Sequence, residues 1–314
     1  MERNTIISTV GVDNPDNRAI QAQIRRYAEG LGCRYLWIPR GGDETDMDYT
    51  DVQALIVGDD PSDIPSGDRP LPDIPLVVRS GGSWTEADQL RARKQGVELA
   101  VSKPCGEMAQ AELALSLILA LKRKVIRHHQ QVMEGKYIRH AASAAVGSTV
   151  GILGVENGGR ELAGLLAAMG CEVLVWQPES GESGAQLYGA AGLEALCRKA
   201  DIVSVHLSLG KAEKCIIGHK ALGWMKSTAV LISVGDSGLI DMDALCQALR
   251  DKRIEAAALD TLDRTVIEGD NPFAALRNII LTPGIGRYTR EELVKSGCRA
   301  VRTANELLAR AGGT

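Results

Sequence analysis

The sequence predicts an α/β protein in which parallel β-sheets are flanked by helices. Short apolar, β-branched segments alternate with segments of helical periodicity along the chain, which is the pattern of consecutive strand–helix units. The clearest unit is the strand Val150–Leu153, which is followed by Gly154, Gly159 and an amphipathic helix. A strand, a glycine-containing turn and a helix in this order form the frame of a dinucleotide-binding turn, so a nucleotide-binding type of sheet is expected here.

The first part of the chain, up to about residue 103, contains the first group of predicted strands and helices. The strands are short apolar or β-branched runs, and the first helix ends before Gly32. The segment Gly58–Pro75 is rich in Pro, Asp, Ser and Gly and is predicted to be a loop. The predicted strands are Thr5–Val10, Tyr35–Ile38, Ala54–Val57, Leu76–Arg79 and Glu98–Val101, and the predicted helices are Asp16–Leu31 and Glu86–Gln95.

A long helix is predicted to follow, from about Glu107 to Glu134. Its first half, through Leu121, is apolar and is expected to be buried, whereas its second half is basic and is expected to be exposed. The longest apolar run in the chain, Leu113–Leu121, lies within this helix and is too short to span a bilayer.

The rest of the chain continues the alternation of strands and helices. Each predicted strand is a mainly apolar run of a few residues, and predicted helices lie between the strands. The predicted strands are Val150–Leu153, Glu172–Trp176, Ile202–His206, Ala229–Val234, Ala256–Leu259 and Ile279–Leu281, and the predicted helices lie near Gly159–Met169, Gly192–Lys199, Lys220–Trp224, Met242–Arg250 and Arg290–Ala311.

The composition is that of an ordinary globular protein. A length of 314 residues is enough for two domains, and 45% apolar with 24% charged residues is typical of this class. The net charge of −4 gives no support for binding to nucleic acid or to an anionic membrane. The seven cysteines are scattered, odd in number and without a C-x-x-C pair, which favours reduced thiols in a cytoplasm. The chain begins without a signal-peptide pattern, and its five histidines suggest no metal site.

Five segments of the chain, in order and spacing, resemble the D-isomer-specific 2-hydroxyacid dehydrogenase family. Glu112 also fits the long helix that leads into the cofactor domain of this family. The resemblance covers nearly the whole length of the chain. The five segments are the turn Val150–Arg160, the third-strand segment Asp201–Leu207 with Ile216–Gly218, and the segments Ala229–Asp241, Ala257–Asp260 and Asn278–Pro283.

The resemblance implies two doubly wound, parallel-sheet domains of the Rossmann or flavodoxin-like type. A flavodoxin-like substrate domain is expected from residues 1–103 plus 285–314, and a Rossmann-type dinucleotide-binding domain from residues 104–284. The ligand site is then expected in the cleft between these domains, at the carboxyl ends of the strands. Because the family is usually dimeric, a homodimer is expected, with a small molecule in the interdomain cleft and no nucleic-acid or membrane partner.

The resemblance also implies three catalytic groups, and this sequence has other residues at all three positions. In the family an arginine binds the carboxylate of a 2-oxo acid, and a histidine partnered by a glutamate exchanges the proton. These types suit the chemistry, because a guanidinium pairs with a carboxylate and an imidazole titrates near neutral pH. The corresponding positions here are Asp236, Thr265 and Gly284. The sequence therefore predicts that the inherited hydride transfer has been lost.

The predicted cofactor positions have changed as well. Gly154 and Gly159 remain, but Glu156 replaces the middle glycine of the G-x-G-x-x-G pattern and adds bulk and negative charge. Like charges about 4 Å apart cost on the order of 4 kcal/mol at an effective dielectric constant of about 20. Gln177 stands where the family has an acidic residue for the ribose hydroxyls, while Asp260 remains near the nicotinamide position. NAD(P) is therefore disfavoured as a cofactor, without being excluded.

Two groups of residues are candidates for a new ligand site. The segment Arg79-Ser80-Gly81-Gly82-Ser83 stands where the family has its glycine loop, and it could form either an anion-binding nest or a plain tight turn. Arg287 and Tyr288 could enter the space of the absent histidine, or form a solvated surface pair. Cys105 is a candidate nucleophile, with a buried small residue as the simpler interpretation.

Three functions are consistent with these residues. The first is a pseudo-dehydrogenase that keeps the fold for binding or assembly. The second is a repurposed enzyme that uses the old cleft for chemistry without a redox cofactor. The third is an NAD(P)-dependent oxidoreductase with a rearranged active site, in which Arg287 and Tyr288 replace the absent groups. The sequence favours them in this order.

Overall fold

The protein consists of two compact units, each built on a parallel sheet. The computed structural model describes residues 4–10, 15–38, 51–58, 74–82, 84–103, 105–178, 189–190, 192–208, 215–260 and 269–311. The predicted site residues Ser83 and Thr265, and most of the predicted loop 58–75, lie outside these residues. The first unit is Met1–Cys105 with Thr289–Thr314, and the second is Gly106–Tyr288. The parallel strands with helices packed on them confirm the predicted α/β class.

The first unit has apolar strands with the last described helix, Arg290–Ala311, packed on one face of its sheet. In this helix Ala300, Val301 and Ala304 join Ile6 of the sheet in one buried cluster. The strands are β1 (Thr5–Ser8), β2 (Arg34–Trp37), β3 (Val52–Val57), β4 (Leu76–Ser80) and β5 (Glu98–Ser102), and the other helices are α1 (Pro15–Gly30) and α2 (Glu86–Gln95). Where the structure describes this sheet, its order is β2-β1-β3-β4-β5.

The strand order of the sheet in the second unit indicates where a ligand site is expected. Its strands are β6 (Thr149–Leu153), β7 (Glu172–Trp176), β8 (Gly189–Ala190), β9 (Ile202–Val205), β10 (Val230–Ser233), β11 (Ala256–Leu259) and β12 (Ile279–Leu281). Within the described residues the order is β12-β11-β10-β9-β6-β7-β8. The chain leaves β6 to one side for β7 and to the other side for β9. Ligands of open parallel sheets bind at such a reversal, outside the carboxyl ends of the strands.

Helices cover both faces of this second sheet. They are α3 (Glu107–Lys122), α4 (Val125–Met133), α5 (Gly159–Ala168), α6 (Leu193–Lys199), α7 (His219–Trp224) and α8 (Met242–Arg250). The central strand β10 shows the two-sided burial, because Leu231 joins one buried cluster while Val230 and Ile232 join the other. No helix in the described ranges is long and apolar enough to cross a membrane.

The prediction of one long helix from about Glu107 to Glu134 is wrong, because the chain forms two helices here, α3 and α4. The break lies at Lys124, whose backbone is left-handed with φ of 53°. Its Nζ donates a hydrogen bond to the carbonyl oxygen of Ala141 at 2.9 Å and lies 3.2 Å from a carboxylate oxygen of Glu255. These contacts join segments distant in sequence, so helical periodicity could not indicate the break. The second helix has no buried residue, in agreement with the exposure expected for this half.

Candidate functional site

The candidate site of the second unit lies where β6 ends in a turn that contains the retained glycines. We call Gly154–Gly159 the glycine turn. Gly154 has φ of 91°, and a Cβ atom on it would lie 2.7 Å from side-chain carbons of Leu207. A Cβ atom on Gly159 would lie 2.2 Å from the carbonyl oxygen of Gly154. Close packing alone therefore requires glycine at both positions, whether or not a nucleotide binds.

Three main-chain donors in the glycine turn and at the start of α5, the N–H groups of Val155, Gly159 and Arg160, are bonded within the protein. The N–H of Val155 donates to Oε1 of Gln177 at 3.1 Å. The N–H of Gly159 donates to the carbonyl oxygen of Glu156 at 2.7 Å, and that of Arg160 donates to the carbonyl oxygen of Val155 at 3.3 Å. A pyrophosphate at a helix N-terminus needs N–H groups that point at it. These three donors are therefore used within the protein, and Gln177 binds the turn through its side-chain oxygen.

Hydrogen bonds of Asn157 connect the glycine turn to the residues that follow β9. It has a left-handed backbone with φ of 45°, which asparagine adopts more readily than most residues. Its Nδ2 donates to the carbonyl oxygen of His206 at 2.9 Å and lies 3.0 Å from Oγ of Ser208. Its own carbonyl oxygen accepts a hydrogen bond from Nδ1 of His206 at 2.9 Å. Sequence analysis missed Asn157, because these partners lie about fifty residues further along the chain.

His206 is a buried, neutral histidine that supports the turn. A carbonyl oxygen can only accept, so Nδ1 carries the proton and Nε2 accepts from the hydroxyl of Ser204 at 2.8 Å. Burial lowers the pKa of His206 from 6.5 to about 4, and the hydrogen bond to Asn157 opposes this shift. Because the unfolded chain takes up this proton first, the group costs stability as the pH falls from 6.5 towards about 4. Above that range the neutral imidazole holds the turn in place.

Asp260, at the carboxyl end of β11, accepts hydrogen bonds from the loop that follows β12. It is 2% exposed. Its Oδ1 accepts hydrogen bonds from the hydroxyl of Thr282 at 2.6 Å and from the N–H of Ile285 at 2.9 Å. Its Oδ2 accepts a hydrogen bond from the N–H of Gly286 at 2.8 Å. The carboxylate predicted to lie near a nicotinamide therefore orders the loop 282–286.

Asp236 and Gly284, the two described residues at the predicted catalytic positions, provide neither a cation nor an imidazole. Asp236 is half-buried and precedes a short 3₁₀ turn, Ser237–Leu239, after β10. Gly284 has φ of 72°, which residues with a side chain rarely adopt. A histidine at Gly284 would therefore need a strained backbone or a rearranged loop. The third position, Thr265, lies outside the described residues.

Arg287 lies against the glycine turn and helix α3. Its Nε donates to Oε1 of Gln110 at 3.0 Å, and its Nη2 donates to Oδ1 of Asn157 at 3.0 Å. A Cβ atom on Gly106 would lie 3.1 Å from Cγ of Arg287. The neighbouring Tyr288 is 54% exposed. The structure thus brings Arg287, but not Tyr288, into hydrogen-bonding contact with the candidate cofactor site; sequence analysis did not identify the partner Gln110.

The candidate ligand loop of the first unit contains two glycines in left-handed conformations. Gly81 has φ of 97° and Gly82 has φ of 65°. The buried guanidinium of Arg79 folds against this loop, since a Cβ atom on Gly82 would lie 3.2 Å from its Nε. The Cζ of Arg79 also lies 5.7 Å from the ring centre of Trp84. Ser80 is half-buried beside them. The buried guanidinium of Arg79 therefore lies against Gly82, which is exposed, whereas Gly81 is buried.

Cys105 shows little sign of a reactive thiol. Its residue is 3% exposed, and its Sγ lies 2.8 Å from Oγ of Ser296. Reactive cysteines are usually partly exposed in electropositive surroundings, whereas buried ones are inert. In the part of the chain that the structure describes, no group of three or more His, Cys, Asp or Glu residues could hold a metal ion.

Comparison with known proteins identifies the family of this chain. The sequence profile of the family described as "D-isomer specific 2-hydroxyacid dehydrogenase, NAD binding domain" matches residues 115–286, more than half of the chain. The chain belongs to the D-isomer-specific 2-hydroxyacid dehydrogenase family. Among relatives of this family member, the glyoxylate reductase of Aeropyrum pernix is 29% identical over 253 residues, which are 77% of this chain and 75% of that protein.

Another relative of this dehydrogenase-like protein is longer. The D-3-phosphoglycerate dehydrogenase of Methanocaldococcus jannaschii is 27% identical over 227 residues, which are 71% of this chain but 43% of that enzyme.

Solved structures share the fold over nearly the full length. The D-lactate dehydrogenase with NAD⁺ from Lactobacillus jensenii has a TM-score of 0.78 at 22% identity, covering 98% of this chain and 97% of that one. The phosphoglycerate oxidoreductase from Vibrio cholerae O395 has a TM-score of 0.79 at 21% identity and covers both chains completely, at 100% each. At identities of 22% and 21%, this similarity shows a shared fold and nothing more.

Proposed function

We propose that this member of the family is a pseudo-dehydrogenase, which binds a small anionic ligand and does not transfer hydride. The observation that carries the proposal is the internally bonded glycine turn, in which Val155, Gly159 and Arg160 use their N–H groups within the protein. Glu156 adds a negative charge to the same turn. Both features support the proposal that this turn does not bind a dinucleotide.

The ligand of this pseudo-dehydrogenase is proposed to be an anion, because the candidate loops contain arginines. In the first unit, Arg79 lies beside Gly82, and in the second unit Arg287 lies beside Asn157. We also propose that the two compact units act as the predicted domains, 1–103 with 285–314 and 104–284. All seven cysteines are free, which is consistent with a reducing, cytoplasmic location.

A second candidate function is NAD(P)-dependent reduction of a 2-oxo acid in a rearranged site. It is favoured by the names of the two relatives described above, a glyoxylate reductase and a D-3-phosphoglycerate dehydrogenase. In this alternative Arg287 would take the place of the absent arginine. The hydrogen bonds made by the N–H groups of Val155, Gly159 and Arg160 speak against this alternative, because those groups are used within the protein.

A calorimetric titration with NADH and NADPH tests the proposed function. We expect no heat of binding at concentrations up to about 1 mM, which corresponds to a binding free energy weaker than about −4.1 kcal/mol. Binding in the micromolar range, followed by oxidation of NADH with a 2-oxo acid such as glyoxylate, would establish the second candidate function instead.

The variant Glu156→Gly tests how far the charge and bulk of this side chain oppose NADH binding. We expect its NADH binding to become measurable but weak, because the hydrogen bonds of Val155, Gly159 and Arg160 remain in place. The matched control is Glu161→Gln, which removes one negative charge from the first turn of α5 but leaves the glycine turn unchanged. An equal gain in both variants would mean that overall charge, not Glu156, limits binding.

We also propose that the protein is a homodimer that covers helix α4 and the segment after it. An amphipathic helix is normally stabilised by packing, yet α4 has no buried residue. Met133 is 74% exposed and Tyr137 is 83% exposed. Clustered apolar side chains of this kind mark interaction surfaces.

Sedimentation equilibrium tests the dimer. We expect a dimer for the wild-type chain and a monomer for Met133→Lys, because a charge buried at an interface without a partner opposes association. The control is Leu90→Lys on helix α2, where a 55% exposed leucine lies far from α4 in sequence. A monomeric wild-type protein, or equal dissociation of both variants, contradicts the assignment of this surface.

A further inference from the structure

We propose that His128 on helix α4 is a pH-dependent switch, which holds the segment 136–143 against the helix while its imidazole is neutral and releases the segment when it is protonated. The segment directly follows α4 and has no regular secondary structure. Nε2 of His128 accepts a hydrogen bond from the main-chain N–H of His140 at 3.0 Å. Because a main-chain N–H can only donate, this ring nitrogen must be unprotonated, and the proton of the neutral imidazole lies on Nδ1.

The hydrogen bond to His128 is the main-chain contact that holds the middle of the segment. Within the described part of the chain, the N–H of His140 is the only main-chain donor of residues 137–142 that has an acceptor. The ends of the segment are held separately, by main-chain hydrogen bonds from Lys136 and Ser143 to the preceding helices at 2.8 and 3.0 Å. Loss of the acceptor at His128 therefore leaves six consecutive residues without a bonded main-chain N–H group.

The two histidines respond differently to a proton. Nε2 of His140 lies 3.0 Å from Nε2 and 3.1 Å from Oε1 of Gln131, and an amide offers both a donor and an acceptor. His140 therefore has a partner in either protonation state, whereas a protonated His128 would direct a donor at a donor. Desolvation and the positive charges of Arg127, His128 and Lys124 also lower the pKa of His140 from 6.5. The hydrogen bond that protonation breaks is thus the one at His128.

The charges that face His128 favour opening once it is protonated. A surface cavity of about 540 Å³ is lined by His128, by Arg123 at the end of α3, and by Arg139 and His140 of the segment. The described residues that line it include no carboxylate. A proton on His128 places another positive charge in the same cavity as Arg139, and like charges that are close together repel. The repulsion and the lost hydrogen bond act in the same direction.

The acidic side chains of the neighbouring elements are already paired. Glu134, the C-cap of α4, has its Oε2 2.7 Å from Nζ of Lys136. Glu255, which precedes β11, has its Oε1 3.2 Å from Nζ of Lys124. Both carboxylates are directed to lysines, so neither is placed to stabilise an imidazolium at His128.

The switch goes beyond the proposed function, and only its effect on assembly rests on the proposed dimer. Tyr137 is 83% exposed and Ile138 is 47% exposed, and both lie in the segment that the dimer is proposed to cover. Histidine side chains change charge between about pH 5 and pH 8. A dimer that uses this segment is therefore expected to dissociate as the pH falls through that range.

Hydrogen exchange of the full-length protein at about pH 8 and about pH 5.5 tests the switch. Peptides spanning residues 135–144 are followed by mass spectrometry, with correction for the intrinsic exchange rate. Protection of the His140 N–H is expected to fall at least about tenfold at the lower pH, while the amides of β10 keep theirs. The lower pH stays above the pKa of about 4 of the buried His206.

Two matched variants assign the response to one histidine. His128→Gln supplies a side-chain oxygen that can accept the same hydrogen bond without titrating, so its protection should be the same at both pH values. His129→Gln replaces the exposed neighbour on α4 and should respond like the wild-type chain. Equal protection of the wild-type chain at both pH values, a response that persists in His128→Gln, or one that disappears in His129→Gln overturns the switch. Parallel loss of protection in β10 also overturns it, because the opening would then be global.

Sedimentation equilibrium at the same two pH values tests the effect on assembly. We expect the wild-type dimer to dissociate at the lower pH and the His128→Gln dimer to persist. A wild-type chain that is monomeric at both pH values refutes the proposed dimer, while the exchange measurement decides on the switch independently. A wild-type dimer that persists at the lower pH although the segment has opened overturns the effect on assembly.

Discussion

The substitution Asp260→Ala is expected to lower the free energy of unfolding of the second unit by about 3 kcal/mol or more. The carboxylate is 2% exposed and accepts three hydrogen bonds from the loop after β12. Each buried donor that loses its acceptor costs about 1–3 kcal/mol, and the loop must open to hydrate Thr282, Ile285 and Gly286. Urea unfolding combined with amide hydrogen exchange of peptides from the second unit measures the change.

The matched control for this substitution is Asp241→Ala. Asp241 also accepts a main-chain hydrogen bond, from the N–H of Ala244 at 2.9 Å, but it is a single cap of helix α8 and is half-buried. Loss of an N-cap costs about 1 kcal/mol. If both variants lose the same stability, or if the loop after β12 keeps its protection from exchange in Asp260→Ala, the anchoring role of Asp260 is refuted.

The substitution Gly159→Ala is expected to be similarly severe, at about 3 kcal/mol or more. The new methyl group would lie 2.2 Å from the carbonyl oxygen of Gly154 and 3.0 Å from Cβ of His206. The first of these atoms belongs to the backbone, so relief requires that strand β6 and helix α5 separate. Overpacking usually costs about 1–3 kcal/mol and more where the surroundings cannot move. The midpoint of thermal unfolding and the urea dependence of the second unit report the loss.

Gly223→Ala provides the opposite control. Gly223 lies in helix α7, and a Cβ atom on it would have no neighbour within 4 Å. Alanine is favoured over glycine in a helix by about 0.5–1 kcal/mol, so this variant should gain stability. A Gly159→Ala protein as stable as the wild-type chain would show that β6 and α5 are more loosely packed than these distances indicate.

The fold could be predicted because its determinants are local. Apolar runs such as Glu172–Trp176 and Ala256–Leu259 coincide with the observed strands β7 and β11, and the helix Met242–Arg250 has the predicted bounds. The two-residue strand β8 was not predicted, since two residues carry no periodicity. The break at Lys124 was missed because it depends on Ala141 and Glu255, which are distant in sequence.

The candidate site could be predicted by position but not by contact. The motif indicated that Glu156, Gln177 and Asp260 lie at the carboxyl ends of the strands, and each follows its strand. The partners of these residues were not predictable, because a glutamine suited to a ribose hydroxyl is equally suited to the N–H of Val155. The backbone of Gly284 gave no signal either, since its φ of 72° depends on the loop that Asp260 orders.

The connected side chains around the glycine turn have an evolutionary consequence. Arg287 depends on Asn157, Asn157 depends on His206, and His206 depends on Ser204. A mutation of any one member leaves its neighbour with an unmet polar group, so the effects of substitutions at these positions are expected to depend on one another. Residues in one hydrogen-bonded network are strongly non-additive. These four positions are therefore expected to change together and not singly.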